Sequence, residues 1–369
     1  MSDSESPTFA VLSLDALGVR LALRCDDTDT LGMVRSSLGS FETEESAESI
    51  TIEARVQAQP PYAEVSGERR ELDPRHAPEQ VFGLVMSGLL ENTKEYVVLH
   101  GAGVEIDGRA FIFSGPSGSG KTTLALALAG RGRPLLSDDF IPIHRESLLA
   151  HPFPKSINVR PGRSTDLAEA LVPAWAPKAN DGRLTLGADR WVQEPLPLGG
   201  VVLFDGDPTP PTPTDAYCLS IRHSSRGDEM AQALRKIPGI SVLEHEDDDL
   251  AIRIDPKKQP RAELNSFLHR FGDSILEYSL ISAGPLCTDA SPETQPLAGS
   301  TALMLMLREV QNRHETGALS ASVGGDMTRI ASEVAAAFAD CPCAWLMPGT
   351  PEATAEHLEN LFKNWARTA

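Results

Sequence analysis

Apolar and polar residues alternate in short runs at the start of the chain. Phe9-Ala-Val-Leu-Ser-Leu14, Val19-Arg-Leu-Ala-Leu23 and Ser49-Ile-Thr-Ile-Glu-Ala-Arg-Val56 carry the period of two that sets one face of a strand on a core. Pro60-Pro61 marks a turn, and His76 to Leu90 has helical spacing. These elements predict a smaller N-terminal α+β module over residues 1–95. It holds no cluster of catalytic side chains, so a scaffold or recognition role is expected of it.

The pattern changes at Tyr96. Tyr96-Val-Val-Leu-His100, Gly103-Val-Glu-Ile106 and Arg109-Ala-Phe-Ile-Phe113 read as strands. Asp107-Gly108 between the last two is a strong hairpin signal. Thr123 to Gly130 is a helix closed by glycine, and Pro134 to Ile143 carries two short apolar runs. Gly199 to Phe204 is a further strand, followed by a proline-rich loop from Asp205 to Asp215. Helices are predicted over Ala302–Val310, Met327–Phe338 and Glu352–Phe362, with a closing strand at Ala344–Met347. Ser164 to Thr185 gives no assignable pattern. Residues 96–369 thus form a second unit, and the fold class is α/β.

Composition narrows the partners. With 369 residues and 41% apolar content the chain can bury a full core. Aromatics are only 5%, so that core must rest on Leu, Val, Ile and Ala. A net charge of −19 argues against nucleic acid or an anionic membrane as a partner. No stretch approaches the roughly 20 apolar residues of a membrane span. The acidic start, Met1 to Pro7, resembles neither a secretory nor a transit signal, so the cytoplasm is the expected location. Cys341-Pro-Cys343 is the only close pair among five cysteines and lacks partners for a zinc site. Buried, idle thiols are expected.

The chemistry concentrates between His100 and Asp139. Gly115 to Thr122 matches the phosphate-loop pattern G-x-x-x-x-G-K-[ST], with a strand before it and a helix after it. Such a junction aims backbone N–H groups and the positive end of a helix dipole at one point. Gly115, Ser117, Gly118, Ser119, Gly120, Lys121, Thr122 and Thr123 are the candidate nucleotide-binding residues. Lys121 would reach the β- and γ-phosphates and Thr122 the Mg²⁺ ion, making ATP and Mg²⁺ the expected cofactors. Phosphoryl transfer also needs a carboxylate for the metal and often another for the acceptor's proton. Asp138-Asp139, between two apolar runs, can supply both, because neighbours on a strand face opposite ways. His100 fits either a structural role or, beside triphosphate charge, a phosphate ligand. Lys155, Arg160 and Arg226 are further cations that each also fit an ordinary surface role.

His100-Gly101, the hairpin, the Gly115–Thr122 loop and Ser137-Asp138-Asp139 together resemble the catalytic domain of HPr kinase/phosphorylase. They look still more like the HPr-kinase-like proteins of bacterial peptide-modification clusters. The resemblance runs from Tyr96 to Asn158, and Cys341 to Thr354 looks like the last strand and helix of these relatives. It implies a phosphoenolpyruvate carboxykinase-like P-loop kinase domain, with a hairpin ahead of the loop. It makes His100 an active-site residue and one aspartate the general base, with Asp138 favoured as base and Asp139 as the metal-side acid. It also implies a homo-oligomer. Two departures stand out. Lys121-Thr122-Thr123 replaces the usual Lys-Ser-Glu, and the loop tied to HPr chemistry is not evident around Pro197 to Val202. The expected function is therefore an ATP- and Mg²⁺-dependent kinase for a hydroxyl, foremost a serine of a peptide or protein other than HPr. A small-molecule kinase, for free serine or a sugar, and a non-catalytic ATP-responsive regulator remain open.

Overall fold

The fold was described from a computed structural model, for residues 9–115, 119–158, 183–204, 217–223, 226–246, 249–254, 258, 261–271, 274–281, 291–310 and 327–368. Strands β1 (Ala10–Ala16) and β2 (Val19–Cys25) form an antiparallel hairpin. Strand β3 (Ile50–Arg55) runs parallel to β2, and β4 (Tyr62–Val65) and β5 (Glu68–Glu71) complete a five-stranded sheet. Alternation sorts β2 as read: Leu21, Leu23 and Cys25 are buried while Arg20 and Arg24 are exposed. Helix α1 (Thr28–Leu38) is capped by Asp27, whose carboxylate accepts from Thr30 N at 2.8 Å. With α2 (Ala77–Asn92) it covers the sheet. The apolar core between them extends past this unit to Val98 and Phe153.

The central sheet is mixed. Strand β6 (Tyr96–Ile106) pairs antiparallel with β7 (Arg109–Ser114) through a turn at Asp107-Gly108, where φ is +50° and +76°. Two positive φ values give the primed turn that matches strand twist. The runs read above as separate strands, Tyr96–His100 and Gly103–Ile106, are one strand here. Gly101 joins them: a Cβ there would meet Phe113 O at 3.1 Å, so the glycine permits close pairing rather than ending the strand. Strand β8 (Leu135–Ser137) and strand β9 (Phe140–His144) both lie antiparallel to β6 on its other side. A separate short ladder pairs β10 (Ile157–Asn158) antiparallel with β11 (Arg183–Leu184). Beyond β7, β12 (Leu198–Leu203) and β18 (Cys343–Met347) run parallel, and β17 (Glu293–Pro296) closes the edge antiparallel. The chain is thus a mixed α/β fold.

Helix α3 (Lys121–Gly130) packs on one face of this sheet with α8 (Pro351–Thr368), and α6 (Gly299–Arg308) packs with α7 (Met327–Phe338) in a separate apolar cluster. Among the described residues no helix is long and apolar enough to cross a membrane. Cys25, Cys341 and Cys343 are free; burial pushes their thiols up to about 11, about 12 and about 11. The Asp205–Asp215 loop and most of the unassigned 164–185 stretch lie outside the described residues.

The sequence pattern was silent on a further unit, between β12 and β17. Strand β13 (Tyr217–His223), α4 (Gly227–Arg235), β14 (Ile240–Glu246), β15 (Asp249–Ile254), α5 (Arg261–Phe271) and β16 (Ile275–Ile281) follow in β-α-β-β-α-β order. All neighbours are antiparallel, in the order β14-β15-β13-β16, the plait of the split β-α-β motif. Its core is its own, built on Ile221, Met230, Leu234, Leu250, Ile252, Phe267 and Phe271.

Helix α8 braces α3. Phe362 stacks on Phe111 with ring centroids 4.5 Å apart. Glu359, nearly covered, accepts from Arg131 Nε and Lys363 Nζ, both at 2.7 Å, and from Arg133. Burial alone would raise its carboxyl, but these donors outweigh burial and hold it down to about 2. The folded value is depressed, so the network's stabilisation is complete above the ordinary glutamate range. It is lost as pH falls toward 2. Glu359→Gln should therefore lower unfolding free energy at pH 7 by about 2 kcal/mol in urea melts. At pH 3 the gap between variant and wild type should narrow.

Candidate active site

Strand β7 ends at Ser114, and the loop that follows is shaped by the backbone. Gly120 has φ +96°, a left-handed value that an L side chain resists, and it turns the chain into α3 at Lys121. The helix thus starts two residues earlier than the pattern suggested, and Thr122 and Thr123 lie in its first turn. Lys121 is buried, and its Nζ donates to Gly115 O at 2.6 Å, closing the loop on itself. Ser119 is buried as well, and among the described residues its Oγ has no hydrogen-bond partner. Ser117 and Gly118 lie outside the described residues.

The β-ladders bring the other predicted residues to this loop. Gly101 of β6 faces Ser114 of β7, and Gly101 N donates to Asp139 O at 2.9 Å. Gly103 faces Ser137 and His100 faces Phe140, so one register runs through the Asp138-Asp139 break between β8 and β9. Ser114, Gly101 and Asp139 therefore stand side by side, in β7, β6 and the bend between β8 and β9, at the level where the Gly115–Thr122 motif begins. The Ser114 hydroxyl donates to His100 O at 2.6 Å, which ties the loop's base to the histidine strand.

The side chains form a charged chain. Asp138 is buried and Asp139 half-exposed, so the neighbouring carboxylates occupy different environments. Lys155 Nζ lies 3.2 Å from Asp138 Oδ1 and 3.5 Å from Asp139 Oδ2. Among the described residues Lys155 is the cation that faces the buried Asp138 carboxylate. His100 sits between carboxylates, with Nε2 3.5 Å from Asp139 Oδ1 and Nδ1 3.5 Å from Glu309 Oε2. Burial pushes the Asp138 carboxyl up and Asp139 adds to this, while Lys155 opposes it. Burial would lower the Lys155 ammonium, but the two carboxylates raise it instead. Both directions have one cause. A single cation facing two carboxylates fully offsets only one, so Lys155 stays charged and the buried Asp138 keeps a raised proton affinity.

Of the residues expected from the sequence, His100, Asp138 and Asp139 meet in one charged cluster, while Lys121 bonds to Gly115, next to Ser114 in the row that holds Gly101 and Asp139. Sequence reasoning weighed Lys155 as a surface cation; the side chain is buried at the centre of the cluster instead. It missed Glu309, which the end of α6 delivers beside β6, with His100 N donating to Glu309 O at 2.7 Å. No local signal marks a residue so distant in sequence. Arg226 is occupied elsewhere, paired with Glu229 at 2.7 Å and lying over the Phe271 ring. Arg160 lies outside the described residues.

The donor set suits a magnesium-bound polyphosphate. The loop offers a helix N-terminus, a buried lysine and an unsatisfied hydroxyl, and Thr122 and Asp139 offer hard oxygen ligands. Among the described residues no group of three His, Cys, Asp or Glu side chains could hold a cation unaided. Magnesium shared between one or two carboxylates and phosphate oxygens needs none. No protein-family model matches the chain, and a search of curated proteins finds no match. The left-handed turn at Gly120 gives a direct test. Gly120→Ala should cost about 1–2 kcal/mol of stability in denaturant unfolding through backbone strain alone.

Proposed function

We propose that the chain is an ATP- and Mg²⁺-dependent kinase that phosphorylates a hydroxyl, foremost a serine of a peptide or protein. On this reading it is an HPr-kinase-like protein of the phosphoenolpyruvate carboxykinase-like P-loop fold, with the β6–β7 hairpin ahead of the loop. One observation carries the reading: the buried Asp138 carboxyl, of raised proton affinity, is the chain neighbour of Asp139, which stands in register with Ser114 where the Gly115–Thr122 motif begins. A loop alone would serve any nucleotide binder. The adjacent base gives a reason for the nucleotide to react.

Mg²⁺-ATP supplies the phosphoryl group and offsets its negative charge. The remaining work belongs to the chain. Lys121 exchanges the Gly115 carbonyl for phosphate oxygens, and the first-turn amides of α3 bind with it. Thr122 and Asp139 would hold the metal. Asp138 takes the proton of the acceptor hydroxyl, and its raised affinity suits that step. His100, between Asp139 and Glu309, keeps the metal-side carboxylate oriented.

Transfer from γ-labelled ATP to serine-containing peptides, with free serine in parallel, tests this. Lys121→Ala should weaken ATP binding by at least about tenfold. Asp138→Asn should bind ATP as wild type does and lose about 10²- to 10⁴-fold in transfer. Undiminished transfer by Asp138→Asn would remove it from the base role. ATP binding by wild type with no transfer to any acceptor would favour a regulator.

A further inference from the structure

Lys155 sits on a short strap whose backbone is held from two sides. On the catalytic side, Phe153 N donates to Leu136 O at 2.8 Å, two residues before Asp138. On the other side stand three residues of the first unit. Ser156 N donates to Ser37 O at 3.1 Å, and the Ser156 hydroxyl donates to Ser37 Oγ at 2.8 Å. The Ser40 hydroxyl donates to Pro154 O at 2.7 Å, and Phe41 stacks on Phe153 with centroids 4.8 Å apart. Both chain neighbours of Lys155 are therefore tied to one corner, residues 37–41, at the end of α1.

We propose that Lys155 is a positioning residue for the Asp138–Asp139 pair, and that Ser37, Ser40 and Phe41 of the first unit seat it there. The proposal rests on the reading of Asp138 as the acceptor's base. A lysine head on a four-carbon stem has many rotamers, so a fixed backbone and a buried path are needed to keep it between two carboxylates. Lys155 has both: its side chain is covered, and its Nζ finds Asp138, Asp139 and, at 3.5 Å, Ser156 O. Without the ammonium, the two acidic side chains would repel each other and Asp138 would lose its only cationic contact among those described. The first unit then contributes to the acidic site, although none of its residues enters it.

The test uses the full chain with Lys155→Met, Lys155→Arg and the double variant Ser37→Ala with Ser156→Ala. Two readouts are needed: steady-state transfer from ATP, and amide hydrogen exchange over 136–140 and 153–156. Lys155→Met should lower kcat by at least about 100-fold while the KM for ATP stays within about threefold, the signature of an interaction used after binding. Lys155→Arg should recover at least about tenfold of that loss, since it restores the charge. The double variant keeps every charge and should lower kcat about fivefold, as expected for one buried hydrogen bond. It should also speed exchange over both segments. An unchanged kcat in Lys155→Met, loss without rescue by arginine, or wild-type exchange in the double variant would each overturn the proposal. If the wild type binds ATP but transfers nothing, the kinase reading fails on its own, and exchange then decides the seating. Faster exchange over 136–140 in the double variant supports it, and unchanged exchange overturns it.

Discussion

Strand β6 is the constraint on which the rest depends. Over its C-terminal half it pairs with β7 on one side and β8 on the other, and over its N-terminal half it pairs with β9. An unbroken antiparallel register on the β7 flank, and one on the other flank that runs from Ser137 through Phe140 after a shift between Val104 and Gly103, place Ser114, Gly101 and Asp139 in one row. Side chains on a strand alternate faces, so a slip of one residue would exchange the environments of Asp138 and Asp139 and move both relative to the loop. The hairpin turn at Asp107-Gly108 fixes one flank. Gly101 and Gly103 let the strands approach on both.

The charged cluster is the second dependency, and it is costly. A buried aspartate and a buried lysine give up hydration that their mutual attraction only partly repays. Nothing in the packing of the central sheet requires them, since apolar side chains would fill the same volume at less cost. Their presence beside the Gly115–Thr122 motif is understandable if, as proposed, the pair prepares Asp138 for a proton. Stability is supplied elsewhere, in the apolar layer between the sheet and its helices and in the Glu359 network that ties α8 to the end of α3.

Local signals in the sequence were good guides to local geometry. Asp107-Gly108 indicated the hairpin because only primed turns join twisted strands in two residues. Gly120-Lys121-Thr122 indicated the loop-to-helix junction because few residues other than glycine tolerate φ +96° there. The acid pair was legible as a pair, but it lies in the bend between β8 and β9 rather than on a strand, so its split between buried and half-exposed comes from that bend and not from strand alternation. What failed to show had long-range causes. Glu309 reaches His100 through a bridge between Leu99 and Val310, distant in sequence. The burial of Lys155 depends on Ser37 and Phe41, in another unit. The β-α-β-β-α-β unit over 217–281 escaped because its strands mix charged residues with apolar ones, as in Ile240–Glu246. A window on such a strand carries little periodic signal.

On the proposed function, one site holds Mg²⁺-ATP between the Gly115–Thr122 motif and the acid pair. Titrating Mg²⁺-ATP into ¹⁵N-labelled chain, followed by amide resonances, addresses it most directly. Saturable shifts are expected at Ser119 to Leu124, moving together with those of Gly101, Asp138 and Asp139, at one nucleotide per chain. Shifts confined to other regions, or loop shifts that leave Asp138 and Asp139 unmoved, would contradict it.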